Sequence, residues 1–180
     1  IRDVLGSRGL GDVYKRQEVD SLAGCVLQKL AEKKLLDNTL VIITGDHGQE
    51  FNENHKNYWG HGSNYSPVQT HIPFLLYDPG KPSHTYRHVT THYDFVPTLM
   101  TEVLGVTSPP SDYSMGHLLT DTCSRNWHVV GDYLDYAFIV DNHTILEKQP
   151  SGCIEISDSL LNPLEDYKID TRTVSYTHLT

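Results

Sequence analysis

Cationic side chains are scarce in this chain: 14 Lys and Arg stand against 23 Asp and Glu, for a formal net charge of −9. A general nucleic-acid binder needs clustered Lys and Arg to neutralise phosphates, and Lys33-Lys34 on a predicted helix is only a short pair. Long apolar runs are also missing, since no stretch approaches the roughly 20 residues that span a bilayer. Cysteine is sparse. Cys25, Cys123 and Cys153 have no CxxC spacing, which excludes a cysteine-rich zinc module. Cys25 falls on a predicted amphipathic helix and reads as a small buried hydrophobe. Cys123 and Cys153 can pair in an oxidising compartment, but the sequence leaves that pairing open.

What is present fits one globular domain or a piece of a larger one, with 38% hydrophobic and 21% charged residues over 180 positions. The two ends, 1–17 and 174–180, resemble translated sequencing-adaptor sequence and are set aside as expected artefacts. From Glu18 to Leu36, Val19, Leu22, Ala23, Val26 and Leu30 recur at helical spacing, with Lys29, Glu32 and Lys33 on a wet face, so one helix is expected to pack on a sheet. Asp37-Asn38 breaks that pattern. The run Thr39 to Thr44 is continuously apolar and β-branched, as suits a strand of a parallel sheet covered on both faces.

A second strand is expected from Ile72 to Tyr77, and a helix from Asp94 to Leu104, with Asp94 as its cap and Gly105 as its stop. Beyond a Pro/Ser-rich loop the pattern changes to short strands, Trp127 to Val130, Tyr133 to Val140, Thr144 to Lys148 and Cys153 to Ile156. These predict a small antiparallel meander. Their turns are Asp141-Asn142-His143 and Gln149-Pro150-Ser151-Gly152.

Chemistry-bearing residues gather between the first two strands. Asp46 and His47 follow the first strand directly, the position where functional groups collect in open α/β sheets. A carboxylate and an imidazole side by side can both reach one cation, and this donor mix suits Zn²⁺ or Mn²⁺ better than Mg²⁺. Gly45 and Gly48 flank the pair. The rest of the loop is long and rich in Gly, Asn and His, the profile of a functional connection. Within it Glu50 and Glu53 read as loop carboxylates, with approach of either to a metal as the alternative, Tyr58, Trp59 and Tyr65 as loop packing, and His71 as structural. An Asp and a His that merely cap local backbone would look the same from the triplet alone.

The strings from Asn38 to Gly48, His61-Gly62, Thr70 to Leu75 and Asp94 to Leu99 together resemble the sulfatase and alkaline-phosphatase superfamily, in the order and spacing of the C-terminal half of its catalytic domain. Within it they look closest to bacterial inner-membrane sulfatase-like proteins and phosphoethanolamine transferases. The fold implied is a partial alkaline-phosphatase-like αβα sandwich over 18–122, followed by the β-rich subdomain over 123–173.

By position, the resemblance implies Asp46 and His47 as ligands of a catalytic divalent metal, with Zn²⁺ or Mn²⁺ favoured and Ca²⁺ a further option. It implies His61 as a group beside the metal that contacts the transferred moiety. The nucleophile of the family lies in its N-terminal half, so no residue of this chain is assigned that role and the chain alone is expected to be inactive and poorly stable. The implied activity is hydrolysis or transfer on sulfate or phosphate esters, phospholipid and lipopolysaccharide headgroups among them. The full-length protein is expected in a bacterial inner membrane, anchored by its N-terminal part, with this domain periplasmic; its oligomeric state stays open. The alternative is a non-catalytic sulfatase-like periplasmic domain that binds lipid or a partner protein and regulates envelope assembly.

Overall fold

A computed structural model describes residues 2–122, 125–141, 143–148 and 151–167. The chain divides between Ser83 and His84 into two compact units.

The first unit begins with helix α1, Arg2–Glu32, which continues through the expected boundary at Glu18. Its end is a Schellman arrangement. Lys34 takes the left-handed conformation at φ 57°, Leu35 N–H donates to Leu30 O at 2.8 Å and Lys34 N–H to Ala31 O at 2.9 Å. The apolar stripe expected to pack on a sheet is uncovered: Val19 is 61% and Leu22 59% exposed. Cys25 on the same helix is exposed too, so its reading as a buried hydrophobe is corrected.

A 3₁₀ turn, Leu36–Asn38, leads into strand β1, Val41–Thr44. Two short strands, β2 (Glu50–Phe51) and β3 (Trp59–Gly60), form a ribbon in the loop. A single helical turn α2, Pro67–Thr70, starts on the proline that needs no donor there. Strand β4, Phe74–Tyr77, then returns beside β1. The pairing is antiparallel, Val41 opposite Tyr77 and Thr44 opposite Phe74, where a parallel sheet was expected. An apolar run specifies a strand with two coverable faces; it does not specify direction, which the connecting loop decides. Neither strand is buried. β1 is mostly half-buried and Leu75, Leu76 and Tyr77 of β4 are exposed, so the expected cover on both faces is not supplied by the described residues.

In the second unit a 3₁₀ turn, His92–Asp94, runs into helix α3, Phe95–Thr98, and on through a π-helical turn, Leu99–Val103. Gly105 stops it at φ 67°, as the sequence indicates. Asp94 caps from a place three residues further in than expected: it is the third residue of a capping box opened by Thr91.

The meander forms as expected, with β5 (Trp127–Gly131), β6 (Tyr136–Val140), β7 (Thr144–Lys148) and β8 (Ile154–Ser157) all antiparallel in chain order. β6 starts later than read because Asp132 Oδ1 accepts from Leu134 N–H and Asp135 N–H, which turns those residues into the hairpin. Ala137, Phe138, Ile139 and Val140 are all buried, so β6 is the strand covered on both faces. Trp127, Val129, Tyr136, Ile156 and Tyr167 pack around Phe138 and Val140. The possible Cys123–Cys153 pairing falls outside the described residues.

One polar feature weakens this sheet. Glu147 stands directly opposite Glu155, and burial, followed by the charges of Asp135, Glu155 and Asp132, raises its pKa above the ordinary 4.5. A carboxylate whose folded pKa is raised binds more protons folded than unfolded. Its contribution is therefore favourable below its unfolded pKa and is lost as pH rises through the folded value. Glu147→Gln should stabilise the meander at pH 7 by a few tenths to about 1 kcal/mol, the range of a like-charged cross-strand pair. Near pH 3 it should make no difference. Thermal melts of both proteins at the two pH values check this, and an equal or larger gain at pH 3 would contradict it.

Candidate metal centre

β1 delivers the chain to Gly45 and Asp46 through a bond that fixes its end: Thr44 Oγ1 donates to Pro73 O at 2.9 Å. The turn that follows is closed locally. His47 N–H donates to Asp46 Oδ1 at 3.0 Å, and His47 Nε2 lies 3.6 Å from Asp46 Oδ2. His47 Nδ1 sits 2.9 Å from Gly48 O. A carbonyl oxygen can only accept, so this contact places a proton on Nδ1 and leaves Nε2, next to the carboxylate, as the ring nitrogen a cation could take. That is the tautomer and support a metal-ligating histidine ordinarily has.

The Asp46 carboxylate is 88% exposed as a side chain. Backbone hydrogen bonds from its own amide and from His47, then the nearby His47 and His61 rings, hold its pKa below the usual carboxylate value of 3.8. It is ionised and uncovered at neutral pH. His61 joins the pair: its ring stacks on that of His47, centroids 4.2 Å apart at 22°. His61 Nδ1 lies 3.4 Å from Gln49 Oε1, which as an amide oxygen accepts, so Nε2 of this ring is also left outward.

The structure thus brings together all three residues singled out in the sequence, Asp46, His47 and His61. The donor set, one ionised carboxylate and one supported imidazole, fits part of a site for Zn²⁺ or Mn²⁺. Among the described residues no group of three His, Cys, Asp or Glu is placed to hold a metal ion, so Asp46 and His47 would by themselves supply only two of the four ligands a tetrahedral ion takes.

The loop carboxylates have other work. Glu53 Oε2 accepts from Phe51 N–H at 2.8 Å. Glu50 is 1% exposed and accepts from Asn64 Nδ2 and Gln69 Nε2, both at 2.7 Å, and from Ser66 Oγ at 3.1 Å. Sequence reading missed this arrangement, because the partners lie 14 to 19 residues away on a loop without periodicity. His71 ends α2, its N–H donating to Pro67 O, in keeping with a structural reading. Tyr65 is buried in the loop, whereas Trp59 is exposed and donates from Nε1 to Asn57 Oδ1. Gly48 matters through close approach, since a Cβ there would lie 1.9 Å from Val68 O.

Two kinds of likeness bear on this geometry. A family model, Sulfatase, matches residues 15–106. Among curated proteins, an uncharacterized protein of Haemophilus influenzae is 34% identical over 121 residues, covering 65% of this chain and 19% of that protein. Inner membrane protein YejM of Salmonella typhimurium is 29% identical over 131 residues, covering 72% of this chain and 21% of its own length. Arylsulfatase K of Mus musculus is 33% identical over 111 residues, covering 60% of this chain and 19% of its own. The chain spans about a fifth of the length of the relatives it matches.

Proposed function

The chain belongs to the sulfatase family, within the alkaline-phosphatase superfamily, and from that premise we propose that Asp46 and His47 are ligands of a catalytic divalent metal in a sulfatase-like hydrolase or transferase. The observation that carries this reading is the pair itself: an exposed, ionised Asp46 beside a His47 whose Nδ1 is tied to Gly48 O, leaving Nε2 3.6 Å from the carboxylate. The two donor atoms are close enough for one cation to be reached by both. Bound there, Zn²⁺ or Mn²⁺, with Ca²⁺ a further option, would supply positive charge against the group being transferred.

His61 in this reading acts in its imidazolium form, with Nδ1–H held by Gln49 Oε1 and Nε2–H donated to an oxygen of the transferred sulfuryl or phosphoryl group. No residue of the chain is proposed as nucleophile. The substrates proposed are sulfate or phosphate esters, with phospholipid or lipopolysaccharide headgroups as candidates. Support for the lipid side comes from the relative named an inner membrane protein. Among the described residues no helix is long and apolar enough to cross a membrane, so membrane attachment is proposed for the full-length protein and not for these helices. The β1 and β4 ribbon, apolar on faces left open here, is proposed as part of an αβα sandwich completed in that protein.

Asp46→Ala and His47→Ala should each lower the zinc plus manganese content of the purified full-length protein to well under half of one equivalent, measured by plasma mass spectrometry. Full occupancy in both variants would remove the ligand assignment.

A further inference from the structure

The two stacked histidines are each followed by a glycine, and both glycine amides end on one residue. Gly48 N–H, directly after His47, donates to the backbone oxygen of Gln69 at 2.7 Å. Gly62 N–H, directly after His61, donates to the side-chain Oε1 of Gln69, also at 2.7 Å. Gly62 is left-handed at φ 71°, a conformation that favours glycine and so depends on being held. The other end of the Gln69 amide, Nε2, donates to Glu50 Oε2 at 2.7 Å. This contact fixes which way the amide points. A carboxylate can only accept, so Nε2 must face Glu50 and Oε1 must face Gly62.

Glu50 is an expensive choice for such a place. It is 1% exposed, and its side-chain donors, Asn54, Asn64, Ser66 and Gln69, are all neutral. Burying an ionised carboxylate costs several kcal/mol unless its hydrogen bonds are complete. A simple loop anchor could be apolar at less cost. What the carboxylate supplies, and an apolar residue cannot, is direction to Gln69.

We propose that Gln69, oriented by the buried Glu50, is the positioning residue that sets His61 in register over His47. The idea rests on the roles of His47 and His61 proposed above, whereas its geometry can be tested without them. Gln69→Glu sets a second carboxylate against the first, and no side-chain flip relieves that. Adding Glu50→Gln restores a donor–acceptor contact between the two side chains. The amide at position 50 then donates to the carboxylate at position 69, which still accepts from Gly62, and Ser66 keeps Oε1 to donate to, while Asn64 Nδ2, which shares Oε2 with Gln69, gives up that acceptor.

The experiment uses the full-length protein in five forms: parent, Gln69→Glu, the exchange pair Glu50→Gln/Gln69→Glu, His61→Ala, and His61→Ala combined with Gln69→Glu. Hydrogen exchange of peptides covering 60–66, read by mass spectrometry, should quicken about tenfold in Gln69→Glu, as for loss of one hydrogen bond, and return in the exchange pair. Turnover of 4-nitrophenyl sulfate or 4-nitrophenyl phosphate should fall in Gln69→Glu, recover at least in part in the exchange pair, and in His61→Ala with Gln69→Glu be no lower than in His61→Ala alone. Unchanged exchange in Gln69→Glu would overturn the proposal, and so would losses that multiply with His61→Ala, because the clamp would then act elsewhere. If Gln69→Glu fails to fold, the exchange pair must still fold with exchange of 60–66 within a few-fold of the parent, and its failure to do so overturns the proposal. If His61→Ala alone leaves turnover intact, the role given to His61 falls, while the exchange measurement still decides whether Gln69 holds its turn.

Discussion

Asp94→Ala should destabilise the unit after Ser83 by about 3–5 kcal/mol, the usual consequence of removing one partner of a buried ion pair. Asp94 is 2% exposed and its Oδ1 receives the Arg125 guanidinium at 2.5 Å, with the Arg125 side chain 10% exposed over the Tyr93 ring. The same carboxylate accepts from His117 N–H at 2.8 Å and from Thr91 N–H and Thr91 Oγ1 at 2.7 and 3.0 Å. It therefore ties the start of α3, the loop before Leu119 and the entry to β5 into one knot. Alanine leaves a guanidinium without its counter-charge and at least two amides without an acceptor. Asp94→Asn, which keeps the shape and one acceptor oxygen, should cost distinctly less. Urea unfolding in a Trp59→Phe background, followed through Trp127, reads this unit alone, and a loss under 1 kcal/mol for Asp94→Ala would contradict the expectation.

His61→Ala should lower turnover by roughly 10²-fold in the full-length protein, the effect of removing one preorganised donor, with metal content near one equivalent. The reason for separating the two quantities is geometric. His47 faces Asp46 through Nε2, whereas His61 meets the site by stacking on His47 and is held from behind by Gln49. Metal loss that accompanies the fall in turnover would make His61 a ligand. No change in either quantity would make it structural.

The placement of Asp46 and His47 just beyond a strand was more legible than the sheet that carries them. Asp46 and His47 are adjacent in sequence, so any backbone that presents one presents the other, and a strand signal just before them places both at its end. The meander was legible because its strands are short and separated by turn residues; β7 runs from Thr144 to Lys148, as the sequence indicates. The burial of β1 was not, because Val41-Ile42-Ile43 tells what environment a strand suits and not which atoms cover it. The same holds for Cys25 and for Val19 and Leu22 on α1. Direction was hidden as well, since 29 residues separate Thr44 from Pro73 and their hydrogen bond is set by the loop's own contacts. Those contacts, Glu50 to Asn64, Ser66 and Gln69, have no spacing rule. Asp94 was found as a cap, yet its pairing with Arg125 across 31 positions was not.

The measurement that bears most directly on the metal assignment is anomalous scattering from crystals of the full-length protein, with data on either side of the zinc and manganese absorption edges. The expected result is one peak within about 2.0–2.2 Å of Asp46 Oδ2 and His47 Nε2, with Nδ1 of His47 still against Gly48 O. A fully occupied metal peak elsewhere, with Asp46 and His47 bonded only to their own loop, would contradict it.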